Sequence, residues 1–256
     1  MTTTDVMSGL LSKEARELRR LVKSADSIEL KLTLPDHTHR SAVAALGVDP
    51  LEAQIRQVFF FDTADLDLNK AGVVARARRV QGRGDDSVVK LRPVVPDDLP
   101  RELRRLPDFV VEVDALPGGY MCSASLKGVP QTPVRETLAE KRPLRKLFSK
   151  DQRSFFAEHA PEGLSLDDLD VLGPIFVLKL KLSPKALGRR LVGEMWLYPD
   201  GSRIVELSTK CLPGEGLDVA EQLLEFLASK DIPTEGEQHT KTKTALEFFS
   251  SELHQR

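Results

Sequence analysis

The sequence contains few of the residues on which several protein classes depend. Its 256 residues include two cysteines and one tryptophan, and aromatic residues make up 5% of the chain. Cys122 and Cys211 stand alone, without a CxxC pair or a histidine at zinc-site spacing, so neither a disulfide nor a zinc site is predicted. No segment approaches the roughly 18 consecutive apolar residues of a membrane span. The first twenty residues lack the apolar core of a signal peptide, and we expect a cytoplasmic protein.

The chain also lacks a charge excess of either sign. Charged residues make up 30% of it, but 37 basic and 39 acidic residues leave a net charge of −2. This balance gives no long-range field that would attract nucleic acid or an anionic membrane, so affinity for a polyanion requires a local cluster of bases. The sequence shows no repeat or long linker. We therefore predict one compact α+β domain over residues 26–256, preceded by a helical extension over residues 1–25.

Strand-like segments with one apolar and one charged face are the most distinctive feature. Ser27–Leu34 reads SIELKLTL, and side chains on a strand alternate between faces, so Glu29 and Lys31 share the face opposite the leucines. The same spacing recurs in later segments predicted as strands, in the pairs Arg76 and Arg78, Lys90 and Arg92, Glu112 and Asp114, Lys179 and Lys181, and Glu206 and Ser208.

The direction in which these charged faces point decides the function. An antiparallel sheet with one solvated side is the simpler interpretation. Against it, the charged faces contain few neutral polar residues, and like charges are repeated on one strand, which is unfavourable without a counter-anion. Amphipathic helices, such as residues 217–232 (LDVAEQLLEFLASKDI) and a last helix with a cap near Thr244, need an apolar surface to cover. If helices coat the outside, the charged faces line a barrel.

A barrel lined in this way would suit a compact polyanion, because arginine and lysine both pair with phosphate oxygens. The basic lining residues are Lys31, Arg76, Arg78, Lys90, Arg92, Lys179 and Lys181. Carboxylates beside phosphates could hold Mg²⁺ or Mn²⁺, which prefer hard oxygen ligands. The candidate metal ligands are Glu29, Glu112, Asp114 and Glu206. These acids could instead be salt-bridge partners of the bases, and both interpretations could hold at once.

From about residue 26 onwards the sequence resembles the CYTH proteins, or triphosphate tunnel metalloenzymes. The most similar segment is FFFDTADLDLNKAGVVARARRV (59–80), followed by SVVKLRPV (87–94). SIELKLTL resembles the family's E-x-E-x-K strand, with Ser27 in place of the first Glu. VVEVD and DGSRIVELS resemble its later acidic strands, with Ser208 where a further acid is often found. HTKTKTALEFF resembles a C-terminal segment that would give Lys243 a phosphate-binding role.

The resemblance implies an eight-stranded antiparallel β-barrel, or tunnel, with helices packed on the outside. It implies hydrolysis or cyclisation of a triphosphate-containing substrate with Mg²⁺ or Mn²⁺, with Glu29 and Lys31 as catalytic residues. Arg203 is added to the candidate phosphate-binding residues, although it is out of phase with Glu206.

Three functions stay open at this point. The first is a triphosphatase acting on inorganic triphosphate or a nucleoside triphosphate, which the scarcity of aromatic residues favours over the second, an adenylate cyclase of the same fold. The third is a non-catalytic protein that binds polyphosphate or nucleotide, because Ser27 and Ser208 replace two carboxylates. The expected partner is a triphosphate-containing small molecule or polyphosphate, and not nucleic acid or a membrane. The N-terminal helix could close one tunnel end or pair two subunits in a homodimer.

Overall fold

The computed structural model describes residues 20–238 and 240–255. Within these residues the strands close into one barrel in the order β1-β5-β6-β4-β3-β2-β7-β8-β9, with β9 pairing back onto β1. The strands are β1 (Ser27–Leu34), β2 (Gln54–Asp62), β3 (Val73–Val80), β4 (Asp86–Leu91), β5 (Phe109–Leu116), β6 (Gly119–Gly128), β7 (Asp170–Leu182), β8 (Leu191–Leu197) and β9 (Arg203–Cys211). The predicted N-terminal extension falls mostly outside the described residues, of which 20–23 are helical.

The prediction of eight antiparallel strands is wrong in two respects. The described residues form nine strands. The sequence analysis missed β6 (GYMCSASLKG), because its apolar and polar residues do not alternate clearly. It follows β5 through a tight turn at Gly118, whose φ of 84° suits glycine. In addition, β1 pairs in parallel with β5. Alternation identifies a strand but not its neighbours, so this pairing has no signal in the sequence.

The α-helices that follow β1 in the described residues are α1 (His39–Leu46), α2 (Asp67–Lys70), α3 (Val134–Ala139), α4 (Lys150–His159), α5 (Gly216–Ala228) and α6 (Lys241–His254). The two helices predicted near the C-terminus are present as α5 and α6. Gly47 ends α1 in the left-handed conformation, with φ 62°. The predicted cap near Thr244 is wrong by one turn, since Thr240 precedes the first helical residue and Thr244 lies within α6. Among the described residues, no helix has the length and apolar character needed to cross a membrane.

The helices cover the outer, apolar face of the barrel. Phe59 and Phe61 of β2 pack in one cluster with Phe155 of α4, and the leucines of β1 pack with Leu223 and Leu227 of α5. Cys122 and Cys211 are buried and free. Since the apolar side chains of the strands face these helices, the charged side chains line the interior. The predicted inward orientation of the charged faces is confirmed.

Helix α6 covers apolar side chains at one end of the interior. Its Ala245, Leu246 and Phe249 are buried against inward-facing side chains. These partners are Val58, Phe60, Val74, Leu172, Ile175, Val177, Trp196, Tyr198 and Ile204. The rest of the barrel interior is lined by the charged residues. The interior therefore has an apolar end, which α6 covers, and a charged remainder.

The covered outer face predicts unequal stability losses for two Phe→Ala changes. Phe61 is 1% exposed and packs edge-to-face on Phe148 at 5.9 Å, whereas Phe176, on the outer face of β7, is 44% exposed. We expect Phe61→Ala to lower the free energy of unfolding by about 3–5 kcal/mol, because it leaves a cavity, and Phe176→Ala to lower it far less. Denaturant titration measures both, and equal losses would contradict the helix-covered core.

Candidate functional site

Three carboxylates from neighbouring strands meet inside the barrel. The β1–β5 register places Ser27 opposite Glu112 and Glu29 opposite Asp114. One oxygen atom from each of Glu29, Glu112 and Asp114 lies within 4.8 Å of the others. Ligand oxygens around one octahedral ion with metal–oxygen bonds of about 2.1 Å lie at most about 4.2 Å apart, so these oxygens would share an ion after a small inward movement of the side chains. These three residues, named here the carboxylate triad, offer the hard oxygen ligands of a divalent metal ion.

The two serines at positions where the resemblance expects acids contact this triad. Ser27 donates a hydrogen bond to Glu112 Oε2 at 3.1 Å, and Ser208 donates one to Glu29 Oε1 at 3.1 Å. A hydroxyl orients a neighbouring carboxylate without the repulsion that a further carboxylate would add. The serines thus position the remaining acids, and the triad carries the negative charge alone.

Lysines surround the triad. The Nζ atom of Lys31 lies 2.9 Å from Asp114 Oδ1 and 3.4 Å from Glu29 Oε2. Lys90 Nζ is 3.5 Å from Asp114 Oδ2, and Lys210 contacts Glu112. Both sequence interpretations of the acids therefore hold, since they pair with bases and also lie close enough to share a cation. Lys210 was missed, although it is in phase with Ser208 on β9.

A second acidic pair lies on β8 and β9, where Glu194 and Glu206 are opposite each other. The Nζ atom of Lys241, the first residue of α6, lies 2.7 Å from Glu194 Oε2 and 2.8 Å from Glu206 Oε1. Lys179 Nζ lies 2.7 Å from Glu194 Oε1. Glu206, predicted as a metal ligand, is thus an ion-pair partner of Lys241. Glu194 and Lys241 were missed, because β8 carries a single charge and the start of α6 was misplaced.

Arginines line the β2 and β3 part of the tunnel. Arg78 forms a two-point ion pair with Asp86, with both N–O distances 2.7 Å. Arg56 donates to Gln54 Oε1 at 2.8 Å, and it was missed because β2 begins before the predicted strand. The Nε atom of Arg76 is buried and has no hydrogen-bond partner among the described residues. Arg76 therefore offers an unused donor to a ligand in the tunnel.

The pKa shifts divide the cations of the tunnel into two groups. Burial and the neighbouring Arg78 lower the pKa of Arg76 to about 9. Burial likewise lowers the pKa values of a set of cations that nearby acids compensate incompletely: Arg56, Arg76, Lys90, Arg92 and Lys179. For Lys31 and Lys241, burial is outweighed by adjacent carboxylates, and the pKa of each is raised. A bound anion would stabilise the charged form of the cations whose pKa values are lowered.

Two predicted phosphate-binding residues lie away from the tunnel. Arg203 is exposed and has the opposite strand phase to Ile204 and Glu206, which face inward. The Lys243 side chain is 67% exposed on α6 and lies 3.8 Å from Glu247. Strand phase and helix phase exclude them, so the structure contradicts their placement at the site.

Lys181 lies at the tunnel mouth rather than deep in the interior. It lines an open cavity of about 720 Å³ together with Lys185, Arg189, Arg190 and Lys210. The cavity is also lined by Glu29, so one member of the carboxylate triad is reached from the mouth. A polyanion entering here would meet basic side chains before it reaches the triad.

No family model and no curated protein matches the sequence. A solved structure of a candidate adenylyl cyclase from Hippeastrum, described as having a dominant triphosphatase activity, is similar at 20% identity with a TM-score of 0.62, covering 86% of this chain and 94% of that one. A candidate adenylate cyclase from Bacillus halodurans is similar at 14% identity with a TM-score of 0.50, covering 86% and 97%. The chain has the fold of these proteins. The closed β-barrel with helices that the CYTH resemblance implies is thereby confirmed, although the described residues form nine strands rather than eight, and at these identities the activity must be argued from the site.

The buried Glu194 predicts a pH-dependent stability. Burial would raise the pKa of Glu194, but Lys241 and Lys179 outweigh it and hold the pKa well below its ordinary value. The ionised Glu194 therefore stabilises the fold above the unfolded pKa of about 4.5, and this contribution is lost as the pH falls through the folded pKa.

We expect the wild-type free energy of unfolding to fall more steeply than that of Glu194→Gln between about pH 5 and pH 2. Denaturant titrations across this range measure the two slopes. Glu158→Gln, on the exposed side of α4, is the matched control and should follow the wild type. Parallel curves for Glu194→Gln and wild type would show that the ion pairs with Lys241 and Lys179 do not stabilise the fold.

Proposed function

We propose that this protein is a divalent-metal-dependent triphosphatase that hydrolyses inorganic triphosphate or a nucleoside triphosphate inside the barrel. One observation carries the proposal. Incompletely compensated cations, including Arg76 with its unused buried Nε donor, and the carboxylate triad lie on inward-facing positions of the same closed barrel. A chain of phosphates would supply negative charge to the arginines, and its bound cation would bind the carboxylates and leave their lysine partners to contact phosphate oxygens.

The three carboxylates would hold Mg²⁺ or Mn²⁺, with Ser27 and Ser208 orienting Glu112 and Glu29. When bound, the ion would neutralise phosphate charge and lower the pKa of a coordinated water. Phosphoryl transfer needs mostly positioning and electrostatic stabilisation, for which fixed charges in a solvent-poor tunnel are well suited.

The basic side chains have distinct parts in this reaction. Arg76 and Arg56 would bind phosphate oxygens, and Lys90, 3.5 Å from Asp114, would bridge the phosphates and the triad. Because its neighbouring carboxylates raise the pKa of Lys31, this lysine stays protonated and would stabilise negative charge rather than accept a proton. The oxygen of water would bond to the terminal phosphorus as the bridging P–O bond breaks. Diphosphate, or the nucleoside diphosphate, would leave with the electron pair, and the proton lost by the water would pass to solvent.

The tunnel mouth favours hydrolysis over cyclisation. Within the described part of the chain, the residues that line the mouth cavity include five lysines and arginines beyond Lys179 and no aromatic residue. An adenylate cyclase must hold the nucleobase and ribose so that the 3′-hydroxyl attacks, and aromatic side chains commonly stack on a base. A mouth with this lining suits further phosphates better than it suits adenine.

The direct test is incubation of the purified protein with tripolyphosphate and with ATP, each with Mg²⁺ or Mn²⁺. Metal-dependent release of phosphate supports the triphosphatase. Formation of cyclic AMP as the main product would instead identify a cyclase, and tight binding without any product would identify a non-catalytic polyphosphate or nucleotide binder.

Arg76→Ala should weaken triphosphate binding by about 10- to 100-fold, because it removes charged hydrogen bonds to phosphate. Isothermal titration calorimetry with tripolyphosphate measures this affinity. Arg203→Ala is the matched control, since it removes an arginine from the outer face of the barrel and should leave the affinity unchanged. If both variants bind as tightly as the wild type, Arg76 does not bind phosphate.

Asp114→Asn should lower Mn²⁺ affinity at least about tenfold, because an amide oxygen is a neutral and weaker ligand. The affinity is measured by calorimetry without substrate. The exposed Asp231→Asn should bind Mn²⁺ like the wild type. Unchanged binding by Asp114→Asn would remove this residue from the metal site while leaving the fold conclusions intact.

A further inference from the structure

Lys241 occupies a position between two carboxylates that resembles that of a bound ion. Glu194 and Glu206 face each other across β8 and β9, and the ammonium of Lys241 lies 2.7 Å and 2.8 Å from their oxygens. The Lys241 side chain is 12% exposed and Glu206 is 5% exposed. Two buried carboxylates this close would repel each other strongly without a cation between them.

The lysine is held in place by several contacts in addition to its ion pairs. Tyr198 donates its hydroxyl hydrogen to the carbonyl oxygen of Lys241 at 3.0 Å. The Lys241 ammonium also lies 5.1 Å from the ring centroid of Trp196, in cation–π geometry. Trp196 Nε1 donates at 3.2 Å to Glu194 Oε2, the same oxygen that Lys241 contacts. The position of the ammonium is therefore set by α6 and by β8 together.

Lys241 lies on a helix, whereas the lysines around the triad lie on barrel strands. Lys31, Lys90 and Lys210 lie on barrel strands, and the Lys210 side chain is 53% exposed and free to turn away. Lys241 reaches the acids from a helix whose Ala245, Leu246 and Phe249 are buried against the tunnel wall. The Lys241 ammonium is therefore tethered to a packed helix and stays close to the two acids, unlike a metal ion that can exchange with solvent.

We propose that the Lys241 ammonium replaces a second divalent ion, so that Glu194 and Glu206 form a metal site that the protein keeps closed with its own cation. This inference rests on the proposed function. If the triad binds the divalent ion of that function, the inference leaves the tunnel with one exchangeable metal ion, at the carboxylate triad. Lys241 acts as a positioning residue, because it holds Glu194 and Glu206 in place. Since Lys241 belongs to α6, the two acids are neutralised only when α6 is packed against the barrel.

The proposal predicts that Lys241→Ala creates a binding site for Mn²⁺. With the ammonium absent, Glu194 and Glu206 supply facing carboxylates, and we expect about one additional Mn²⁺ per chain relative to the wild type, measured by calorimetry without substrate. The single tryptophan of the chain reports on the same place, since Trp196 is bonded to Glu194. Mn²⁺, but not diamagnetic Mg²⁺, should quench its fluorescence in Lys241→Ala more than in the wild type.

Three further variants locate the effect. Lys243→Ala removes an exposed lysine from the same helix and should show no added Mn²⁺ and no added quenching. Lys241→Ala combined with Glu194→Gln should lose both gains. Lys241→Gln keeps a polar side chain of similar length, and it should show the added quenching even if Lys241→Ala loosens α6.

The test compares the Mn²⁺ binding of each variant with that of the wild type. Failure of the Lys241 proposal can therefore be distinguished from failure of the proposed function. A wild type that binds no Mn²⁺ would contradict the metal-dependent triphosphatase, whereas the gain in Lys241→Ala would still support the Lys241 proposal. Equal Mn²⁺ binding and equal quenching in the wild type, Lys241→Ala and Lys241→Gln would overturn it. A second Mn²⁺ in the wild type that Glu194→Gln removes would overturn it as well.

Discussion

The cost of removing charges from water is the constraint on which this structure depends. A carboxylate or ammonium inside a barrel loses much of its hydration, and only a nearby opposite charge or hydrogen bond can offset the loss. The interior meets this requirement unevenly. Glu194 and Glu206 are matched by Lys179 and Lys241, while Arg76 keeps a buried donor without a partner among the described residues. The uneven compensation distinguishes the structural charges from those that await a ligand.

The outer layer makes this interior possible. A strand has only two faces, so burying charges inside the barrel requires the apolar side chains to be covered outside, and α4 and α5 provide this cover. Helix α6 has a different role, because it packs against inward-facing side chains and brings Lys241 to the acids. The same helix therefore buries apolar surface at one end and completes the charge balance next to it.

The sequence predicts the parts of the fold that depend on local periodicity. Alternation identified β1 and β3 at their observed bounds, and it identified which charges share a face. It missed β6, whose small and polar residues alternate poorly, and the parallel β1–β5 pairing, which depends on contacts distant in the sequence. In the site, Lys210 was in phase with Ser208 and could have been found, whereas Lys241 could not, since its role depends on how α6 packs.

The two acidic groups show why residue type alone does not assign a metal site. Glu206 and Asp114 are both partly or fully buried carboxylates on inward strand positions, and each contacts a lysine. Asp114 belongs to three acids whose oxygen atoms lie within 4.8 Å, and the serines at Ser27 and Ser208 support two of these acids with neutral donors. Glu206 faces one acid and a lysine fixed by a buried helix. In the first arrangement the cations are lysines on the barrel strands, and a divalent ion that binds the three acids would leave these lysines to bind phosphate. In the second arrangement the acids are neutralised by Lys179 and by Lys241, which is tethered to α6.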